Sequence, residues 1–282
     1  MSNFIKSPLN FVGGKYKLLP QILPLLPDDI DNFVDLFAGG CNVGVNIKAN
    51  KIHFNDTQHQ VMELISYLFT HDLDEMLIKI DKIIGKYNLN RENKDGYLSL
   101  RKDYNTKNKH PLMLYCLIAH SFTNQIRFNK KYEFNMPFGK RTFNDRLRNV
   151  FINFVNELQS KNTEFHTLDF RKYNIDNLNK DDFVYIDPPY LVGVATYNEQ
   201  NGWTEEDESD LYNFIDKLNN KGIRFALSNV FESKGKVNET LQEWAKKYNV
   251  HYLNNDYANC NYQTKNRDKS STVEVLITNY QN

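Results

Sequence analysis

The sequence predicts an α/β fold built on a doubly wound, mostly parallel β-sheet with helices on both faces. Short runs of β-branched and aromatic residues alternate with longer segments in which apolar residues recur every three or four positions. This alternation is typical of parallel strands joined by crossover helices. Hydrophobic residues make up 40% of the chain and charged residues 25%, which supplies a large buried core and excludes wholesale disorder.

Six runs have the length and composition of β-strands, and three segments between them have helical spacing. The predicted strands are 33–37, 52–55, 164–168, 183–186, 224–228 and 272–278. The predicted helices are 58–69, 205–218 and 238–247. Ligands of such sheets bind beyond the carboxyl ends of the strands, so we expect the loops after Phe37, Asn55 and Ile186 to form the site.

The segment 72–154 interrupts this alternation and predicts a smaller unit inserted into the sheet domain, which then comprises 1–71 and 155–282. The insert is expected to be mainly helical, with an irregular stretch at 124–148. That stretch holds seven basic and two acidic side chains, a net charge of +5, although the whole chain has 35 of each. The neutral total excludes a polybasic protein, while the insert has either a solvated basic face or a surface for an anionic partner.

Cysteine usage and hydropathy indicate a reducing, aqueous compartment. The three cysteines, Cys41, Cys116 and Cys260, are widely spaced and form neither a disulfide framework nor a metal-binding CxxC knuckle. The sequence has no run of eighteen apolar residues and no apolar signal segment at its start. We therefore expect no contact with a membrane and a cytoplasmic location.

The strongest motif is Asp187-Pro188-Pro189-Tyr190, directly after the predicted strand 183–186. Neither proline can donate a backbone hydrogen bond, so the strand has to end there, and both rings fix the direction of the neighbouring carbonyls. The tetrapeptide thus presents a carboxylate, a carbonyl and an aromatic ring from one rigid platform. The exocyclic amino group of an extruded nucleobase requires two such acceptors and a stacking face.

Two glycine-rich segments indicate a small-molecule site. The segment 35–44 reads DLFAGGCNVG and is expected to be a turn from a strand to a helix that lets a cofactor approach the backbone closely. Its spacing departs from GxGxxG and argues against a nicotinamide site. Asp56 ends the next strand, where an acid either accepts ribose hydroxyls or caps the following helix. The segment 10–15 reads NFVGGK, which could cradle an anion but lacks the full P-loop pattern.

Together these motifs resemble those of the Dam-type DNA adenine-N6 methyltransferases, the alpha group of the D12 class. The resemblance runs nearly from end to end and rests on FVGGK at 11–15, DLFAGG at 35–40, ND at 55–56, RFN at 127–129, EFNMPFG at 133–139, DPPY at 187–190 and ITNY at 277–280. It implies a Rossmann-like S-adenosylmethionine-dependent methyltransferase sheet. It also implies that 72–154 is a mainly helical target-recognition subdomain containing a β-hairpin.

The resemblance implies that S-adenosylmethionine is the cofactor and that adenine N6 is methylated. The implied cofactor contacts are Phe11, Lys15, Asp35, Phe37, Gly39, Gly40, Asp56, Asp169, Phe170 and Asp187. The implied catalytic platform is Asp187, Pro188, Pro189 and Tyr190. In it the Asp187 carboxylate and the Pro188 carbonyl accept hydrogen bonds from N6, while the Tyr190 ring stacks on the flipped base. No metal and no covalent intermediate is expected.

The resemblance also implies double-stranded DNA as the partner of the basic insert, whose cations would neutralise phosphates while a few side chains read base edges. Arg127 is the expected guanine reader, bidentate to O6 and N7. The other expected contacts are Gln125, Asn129, Pro137, Lys140 and Arg141. The resemblance implies GATC or a related sequence as the recognition site. Two departures concern its outer base: Arg141 stands where GATC-specific relatives often carry a tyrosine, and Gln125 stands where they carry an apolar residue.

Two other functions stay open on sequence grounds: N4-cytosine methylation on the same platform, and a catalytically silent DNA-binding protein of the same fold. The aspartate at 187 favours adenine, and the presence of Lys15, Asp56 and Asp187 argues against a silent protein. We expect a monomer encoded by a bacterium or a phage, working in a system with a cognate restriction endonuclease that it does not contact.

Three further features receive structural interpretations. The acids at 205–210 are expected to cap a helix rather than to bind a metal. The seven histidines lack ligand spacing. The basic segment 265–271 is either a contact to the DNA backbone or an ordinary loop.

Overall fold

The computed structural model describes residues 4–11, 13–192, 202–254 and 272–281. Within these ranges a single sheet holds eight strands. They are β1 (Asn32–Asp35), β2 (Lys51–Asn55), β3 (Thr163–His166), β4 (Phe183–Ile186), β5 (Arg224–Ser233), β6 (Lys236–Val237), β7 (Asn249–Leu253) and β8 (Thr272–Thr278). The helices are α1 (Leu19–Ile22), α2 (His59–Thr70), α3 (Leu73–Tyr87), α4 (Lys94–Thr106), α5 (Pro111–His120), α6 (Asp145–Gln159), α7 (Glu205–Asn220) and α8 (Glu239–Ala245).

The strand order is β3-β2-β1-β4-β5-β8-β7, with β6 paired to β5. The chain extends from β1 to β2 and β3 on one side and to β4 and β5 on the other, and these pairs are all parallel. The last two strands, β8 and β7, run antiparallel. The order therefore reverses between β1 and β4, whose carboxyl ends lie side by side and open a crevice. This confirms the predicted doubly wound, mostly parallel sheet.

Helices cover both faces of the sheet, because each strand sends alternate side chains to opposite sides. In β4, Phe183 and Tyr185 pack into the core beneath α2 to α6, whereas Val184 and Ile186 pack into the core beneath α7 and α8. None of the described helices has both the length and the apolar composition needed to cross a bilayer.

The structure corrects the predicted elements in three places. Two strands, β6 and β7, were not predicted; β7 lies at the sheet edge with only Leu253 buried, so its apolar pattern is weak. Strand β5 continues to Ser233, five residues past its predicted end. The glycine-rich segment leads into a 3₁₀ turn, Gly44–Asn46, and not into an α-helix, because only residues 47–50 separate it from β2.

The insert contains α3, α4 and α5 and the start of α6, as its helical pattern predicts. The predicted boundary between 154 and 155 falls inside α6, and Phe151, Phe154 and Val155 share a core with the sheet. The division into domains stays a prediction. The predicted hairpin is short: Phe128 and Phe134 form one antiparallel bridge, and the Asn129 N–H donates to the Glu133 carbonyl at 2.9 Å. The basic segment 265–271 lies outside the described residues.

Candidate functional site

A cavity of about 690 Å³ opens at the carboxyl ends of β1 and β4. The positions predicted for cofactor binding and catalysis all line it: Phe11, Lys15, Asp35, Phe37, Gly39, Gly40, Asp56, Asp169, Phe170, Asp187, Pro188, Pro189 and Tyr190. These residues come from separate stretches of the chain. The switch point of the sheet brings them together, since it gathers the loops that follow β1, β2, β3 and β4.

The glycine-rich turn shapes one wall of this cavity. Gly39 has a φ of +48°, a left-handed conformation that favours glycine, and a Cβ there would lie 3.7 Å from the Phe11 ring. Gly44 leaves no room for a side chain, because a Cβ would lie 2.4 Å from Cε1 of Phe54. This close packing lets the Gly44 N–H donate to Asp35 Oδ2 at 3.2 Å.

Two acids on this wall are held by backbone amides. Asp35 is only 2% exposed, and burial raises its pKa to about 8, against the hydrogen bond from Gly44. Asp56 accepts from the N–H groups of Gly39 at 2.8 Å and Gln58 at 2.9 Å. Burial raises the pKa of Asp56, and these two bonds oppose the rise. Asp56 thus joins the residue before α2 to the glycine turn and still lines the cavity. It does not cap α2, which has no side-chain cap, and its contact with a ribose stays a prediction.

The opposite wall is a buried ionic cluster around Lys15. Its ammonium lies 2.9 Å from Asp187 Oδ1 and 3.6 Å from Glu274 Oε1. The Tyr190 hydroxyl donates to Asp187 Oδ1 at 3.1 Å and lies 3.5 Å from Glu274 Oε1. Burial raises the pKa of Asp187, while Lys15 and the Tyr190 hydrogen bond oppose the rise. The carboxylate that follows β4 is therefore fixed in place by an ammonium and a phenol.

An aromatic wall closes the cavity on the α7 side. The ring centroid of Phe37 lies 5.6 Å from that of Phe170 and 5.9 Å from that of Trp203. Asp169 caps the short turn that contains Phe170 by accepting from the Arg171 N–H at 2.9 Å. The three rings form an apolar wall that can receive a flat heteroaromatic ring.

The expected DNA contacts lie outside this cavity. Arg127 is half-buried, and its guanidinium donates twice to Asn135, from Nε to Oδ1 at 2.8 Å and from Nη2 to the carbonyl at 3.0 Å. Asn129 uses its side-chain amide within the hairpin turn, donating to Glu133 Oε2 at 2.8 Å. Pro137 is exposed. Gln125 forms an isolated parallel β-bridge with Asn10. Lys140 and Arg141 line a second cavity.

Sequence reasoning missed several residues of the site. Glu274 and Ser228 lie on β8 and β5 behind Tyr190, whose hydroxyl is 3.4 Å from Ser228 Oγ. Glu274 is 1% exposed and is the one charged residue of β8, and a charge at an inward position is a signal that could have found it. Tyr132, at the hairpin tip, and Trp203 also line the cavity.

Two further groups, the acids at the start of α7 and the histidines of β2 and β3, have contacts of their own. Thr204 and Asp207 form a capping box at the start of α7, which confirms the capping interpretation of the acids at 205–210. His53 and His166 stack across β2 and β3, with His53 Nδ1 3.3 Å from His166 Nε2 and 3.3 Å from Glu164 Oε2. This grouping has the composition of a metal site, and sequence spacing hid it. Lys51 already pairs with Glu164 Oε2 at 2.8 Å.

Comparison with known proteins identifies the family. The family model for the D12 class N6 adenine-specific DNA methyltransferase matches residues 11–259. The modification methylase StsI of Streptococcus sanguinis is 45% identical over 286 residues, which cover 99% of this chain and 43% of that protein. The type II methyltransferase M.FokI of Planomicrobium okeanokoites is 44% identical over 287 residues, covering 100% and 44%. A DNA adenine methylase of Vibrio cholerae is 25% identical over 231 residues, covering 78% and 80%.

The chain belongs to the D12 class of N6 adenine-specific DNA methyltransferases. The family resemblance seen in the motifs is thereby confirmed. The chain spans less than half the length of the StsI and M.FokI proteins.

Proposed function

We propose that this chain transfers the methyl group of S-adenosylmethionine to N6 of an adenine flipped out of a short duplex recognition site. One observation supports this most directly: the carboxylate that follows β4 lies beside Lys15 and Tyr190 in the same cavity as the glycine-rich turn. The volume of that cavity, about 690 Å³, is within the range of about 300–1,000 Å³ that is common for ligand pockets.

The cavity walls fit the parts of S-adenosylmethionine. When bound, this cofactor supplies an activated methyl group on a sulfonium. The Asp56 oxygens keep lone pairs for ribose hydroxyls, because each accepts one backbone hydrogen bond. The rings of Phe37 and Phe170 suit the adenine. Phe11, Lys15, Asp35, Gly39, Gly40 and Asp169 are the further contacts that the proposal assigns.

The Asp187–Tyr190 platform activates the target amine. The lone pair of adenine N6 is conjugated with the ring, which makes the amine a poor nucleophile. Hydrogen bonds from N6 to the Asp187 carboxylate and the Pro188 carbonyl favour a pyramidal nitrogen and stabilise the positive charge that develops on it. Asp187 can accept the released proton late, because burial already raises its pKa. Tyr190 stacks on the base, and Pro189 holds the platform rigid.

The insert reads and holds the DNA. Arg127 contacts a guanine, and Gln125, Asn129, Pro137, Lys140 and Arg141 contact neighbouring bases or phosphates. The site is GATC or a related sequence. The chain acts as a monomer, beside a cognate restriction endonuclease that it does not touch.

The decisive test measures both the modified base and its position. Duplex DNA treated with the protein and S-adenosylmethionine is digested and analysed by mass spectrometry, and methylation-sensitive sequencing then gives the site. We expect N6-methyladenine from the wild type. Asp187→Asn should lower turnover by about 100-fold or more, because the amide replaces one acceptor by a donor and carries no charge. The matched control is Asp181→Asn, an exposed aspartate at the other end of β4.

Three outcomes would contradict the proposal. N4-methylcytosine in the digest would assign the other amine. DNA binding by the wild type without any methylated base would indicate a silent protein. Near-normal turnover by Asp187→Asn would remove that carboxylate from the reaction.

A further inference from the structure

A second cavity, of about 700 Å³, lies next to the first and is named the basic groove. Phe11, Gly14 and Asn42 line both cavities, so the two are adjacent. The walls of the groove come from the segment 6–16, from the connection between α3 and α4, and from the segment 139–150. The Asn10 amide donates to the Thr123 carbonyl at 2.9 Å, which joins the first of these walls to the turn after α5, where Asn124 also lines the groove.

The charged side chains that line the groove are all basic. They are Lys6, Arg91, Lys140, Arg141 and Arg146. None of them forms an ion pair with a carboxylate of the described residues, although fourteen such pairs occur elsewhere there. Three separate stretches of a chain with no net charge thus bring cations to one cavity without bringing acids to neutralise them.

Lys6 is the cation of the groove on which the other charges act most clearly. Burial lowers the pKa of Lys6, and the charges of Arg146 and Lys17 lower it further. The Lys6 ammonium also lies 5.5 Å from the ring centroid of Tyr16, which gives it only a weak, aromatic partner. Like charges that repel one another without compensation are typical of a surface that receives a polyanion.

The cations of the first cavity cannot serve this purpose. Lys15 is held by Asp187 and Glu274, and the Arg171 guanidinium is bound by Asp169, Asp207 and Asp210. A nucleotide extruded into that cavity stays joined to the backbone phosphates on either side of it. Those phosphates need cations at the mouth of the cavity, and the basic groove begins there.

We propose that the basic groove binds the DNA backbone phosphates next to the extruded nucleotide, with Lys6, Arg91 and Arg146 acting together with Lys140 and Arg141. This inference rests on the proposed function, because the polyanion is its DNA substrate. It adds Lys6, Arg91 and Arg146 to the six DNA contacts proposed above, and Lys6 lies outside the insert, in the segment that leads to the first cavity. Contacts of this kind hold the strand and carry no sequence information.

The test is DNA affinity as a function of salt. Each phosphate that is neutralised adds about 0.9 to the slope of log K against log salt. The triple variant Lys6→Gln, Arg91→Gln and Arg146→Gln should therefore lower this slope by about 2 to 3 and weaken binding at low salt by roughly 10-fold or more on duplexes of any sequence. Affinity is measured by fluorescence anisotropy on labelled duplexes, with thermal unfolding as the check on folding.

The control removes the same charge elsewhere. Lys107→Gln, Lys221→Gln and Lys246→Gln take away three exposed cations that are paired with acids far from the groove, and the slope should stay near that of the wild type. A groove variant that matches this control would overturn the inference. The proposed function fails separately, through a wild type that binds DNA and leaves no methyladenine.

Discussion

Glu274 illustrates how far a single residue of this site depends on tertiary structure. Its carboxylate is 1% exposed and lies 3.6 Å from Lys15 Nζ and 3.5 Å from the Tyr190 hydroxyl. Two carboxylates, Asp187 and Glu274, therefore share the ammonium of Lys15. Burying a second acid costs free energy, which its pairing with Lys15 offsets in part. The charge of Glu274 also adds to the effect of burial in raising the pKa of Asp187.

Replacing Glu274 by glutamine should change the pH profile of methylation. The amide keeps the shape of the side chain but removes its charge, so Lys15 interacts more strongly with Asp187 and the pKa of Asp187 falls. We expect the acidic limb of the pH–rate profile to move to lower pH and kcat to fall by about tenfold, since the carboxylate becomes a weaker proton acceptor.

The control for this variant is Glu243→Gln, at an exposed glutamate on α8. Steady-state kinetics across pH separates a charge effect from a loss of packing, because a purely structural role would lower kcat without moving the acidic limb. An unchanged profile and an unchanged kcat would exclude Glu274 as a positioning residue.

The residues that could be predicted from sequence are those whose chemistry is local. Asp187 and Tyr190 belong to one tetrapeptide, and Asp35 belongs to one glycine turn, so their neighbours in the chain define their environment. Glu274 and Ser228 contact Tyr190 because β5 and β8 pair in a particular antiparallel register. That register follows from the assembly of the sheet and has no short-range signature.

At the scale of elements, the hairpin of the insert positions Arg127, the residue that we propose contacts a guanine. The bridge between Phe128 and Phe134 sets the turn, and Asn135 then faces Arg127 across it. The two hydrogen bonds from the guanidinium to Asn135 fix the plane of the Arg127 guanidinium group. A guanidinium that is already fixed loses less conformational entropy when it binds a base edge.

Arg127→Ala should relax specificity at one guanine of the recognition sequence. A bidentate arginine contributes about 1–3 kcal/mol of discrimination between bases. The kcat/KM of duplexes changed at that guanine should therefore rise by roughly 10-fold or more relative to that of the cognate duplex. Asn135→Ala should cause a smaller change of the same kind, because it removes the hydrogen bond that orients the Arg127 guanidinium but keeps the guanidinium itself. The measurement is the relative kcat/KM over a set of duplexes with single base changes.

Lys130→Ala is the matched control, at an exposed cation of the same hairpin. This variant should lower kcat/KM for all duplexes by about the same factor. If Arg127→Ala behaves in this way as well, Arg127 contacts a phosphate and not a base.

Elements were predictable where their apolar pattern was strong. Helix α7 begins at Glu205 as predicted, because Thr204 and the acids after it form a cap. Strand β7 has one buried side chain and lies at the sheet edge, so its sequence resembles a loop. The short 3₁₀ turn after the glycine segment follows from the chain length available before β2, which no propensity records.

At the scale of the whole molecule, the site reduces stability. The reversal of strand order between β1 and β4 brings the buried groups Lys15, Asp35 and Glu274 to one crevice. Elsewhere the two faces of the sheet are filled by aliphatic and aromatic side chains. A crevice that buries several ionisable groups in a low-dielectric position therefore weakens the fold that holds it.

Asp35 should make a contribution to the free energy of unfolding that falls as pH rises, and Asp35→Asn should remove this contribution. The pKa of Asp35 is about 8 in the folded protein, against 3.8 for an aspartate in water. Between these values the folded state keeps a proton that the unfolded chain has lost, so the free energy of unfolding decreases with pH. Asparagine does not titrate, and its carbonyl can still accept from Gly44.

We expect the Asp35→Asn variant to be more stable than the wild type by at least about 1 kcal/mol near pH 7, with a difference in stability that widens up to about pH 8 and then stays constant. Urea unfolding at a series of pH values measures it, with Asp176→Asn, at an exposed aspartate paired with Lys221, as the control. Parallel curves for Asp35→Asn and the wild type would show that Asp35 is ionised in the folded protein.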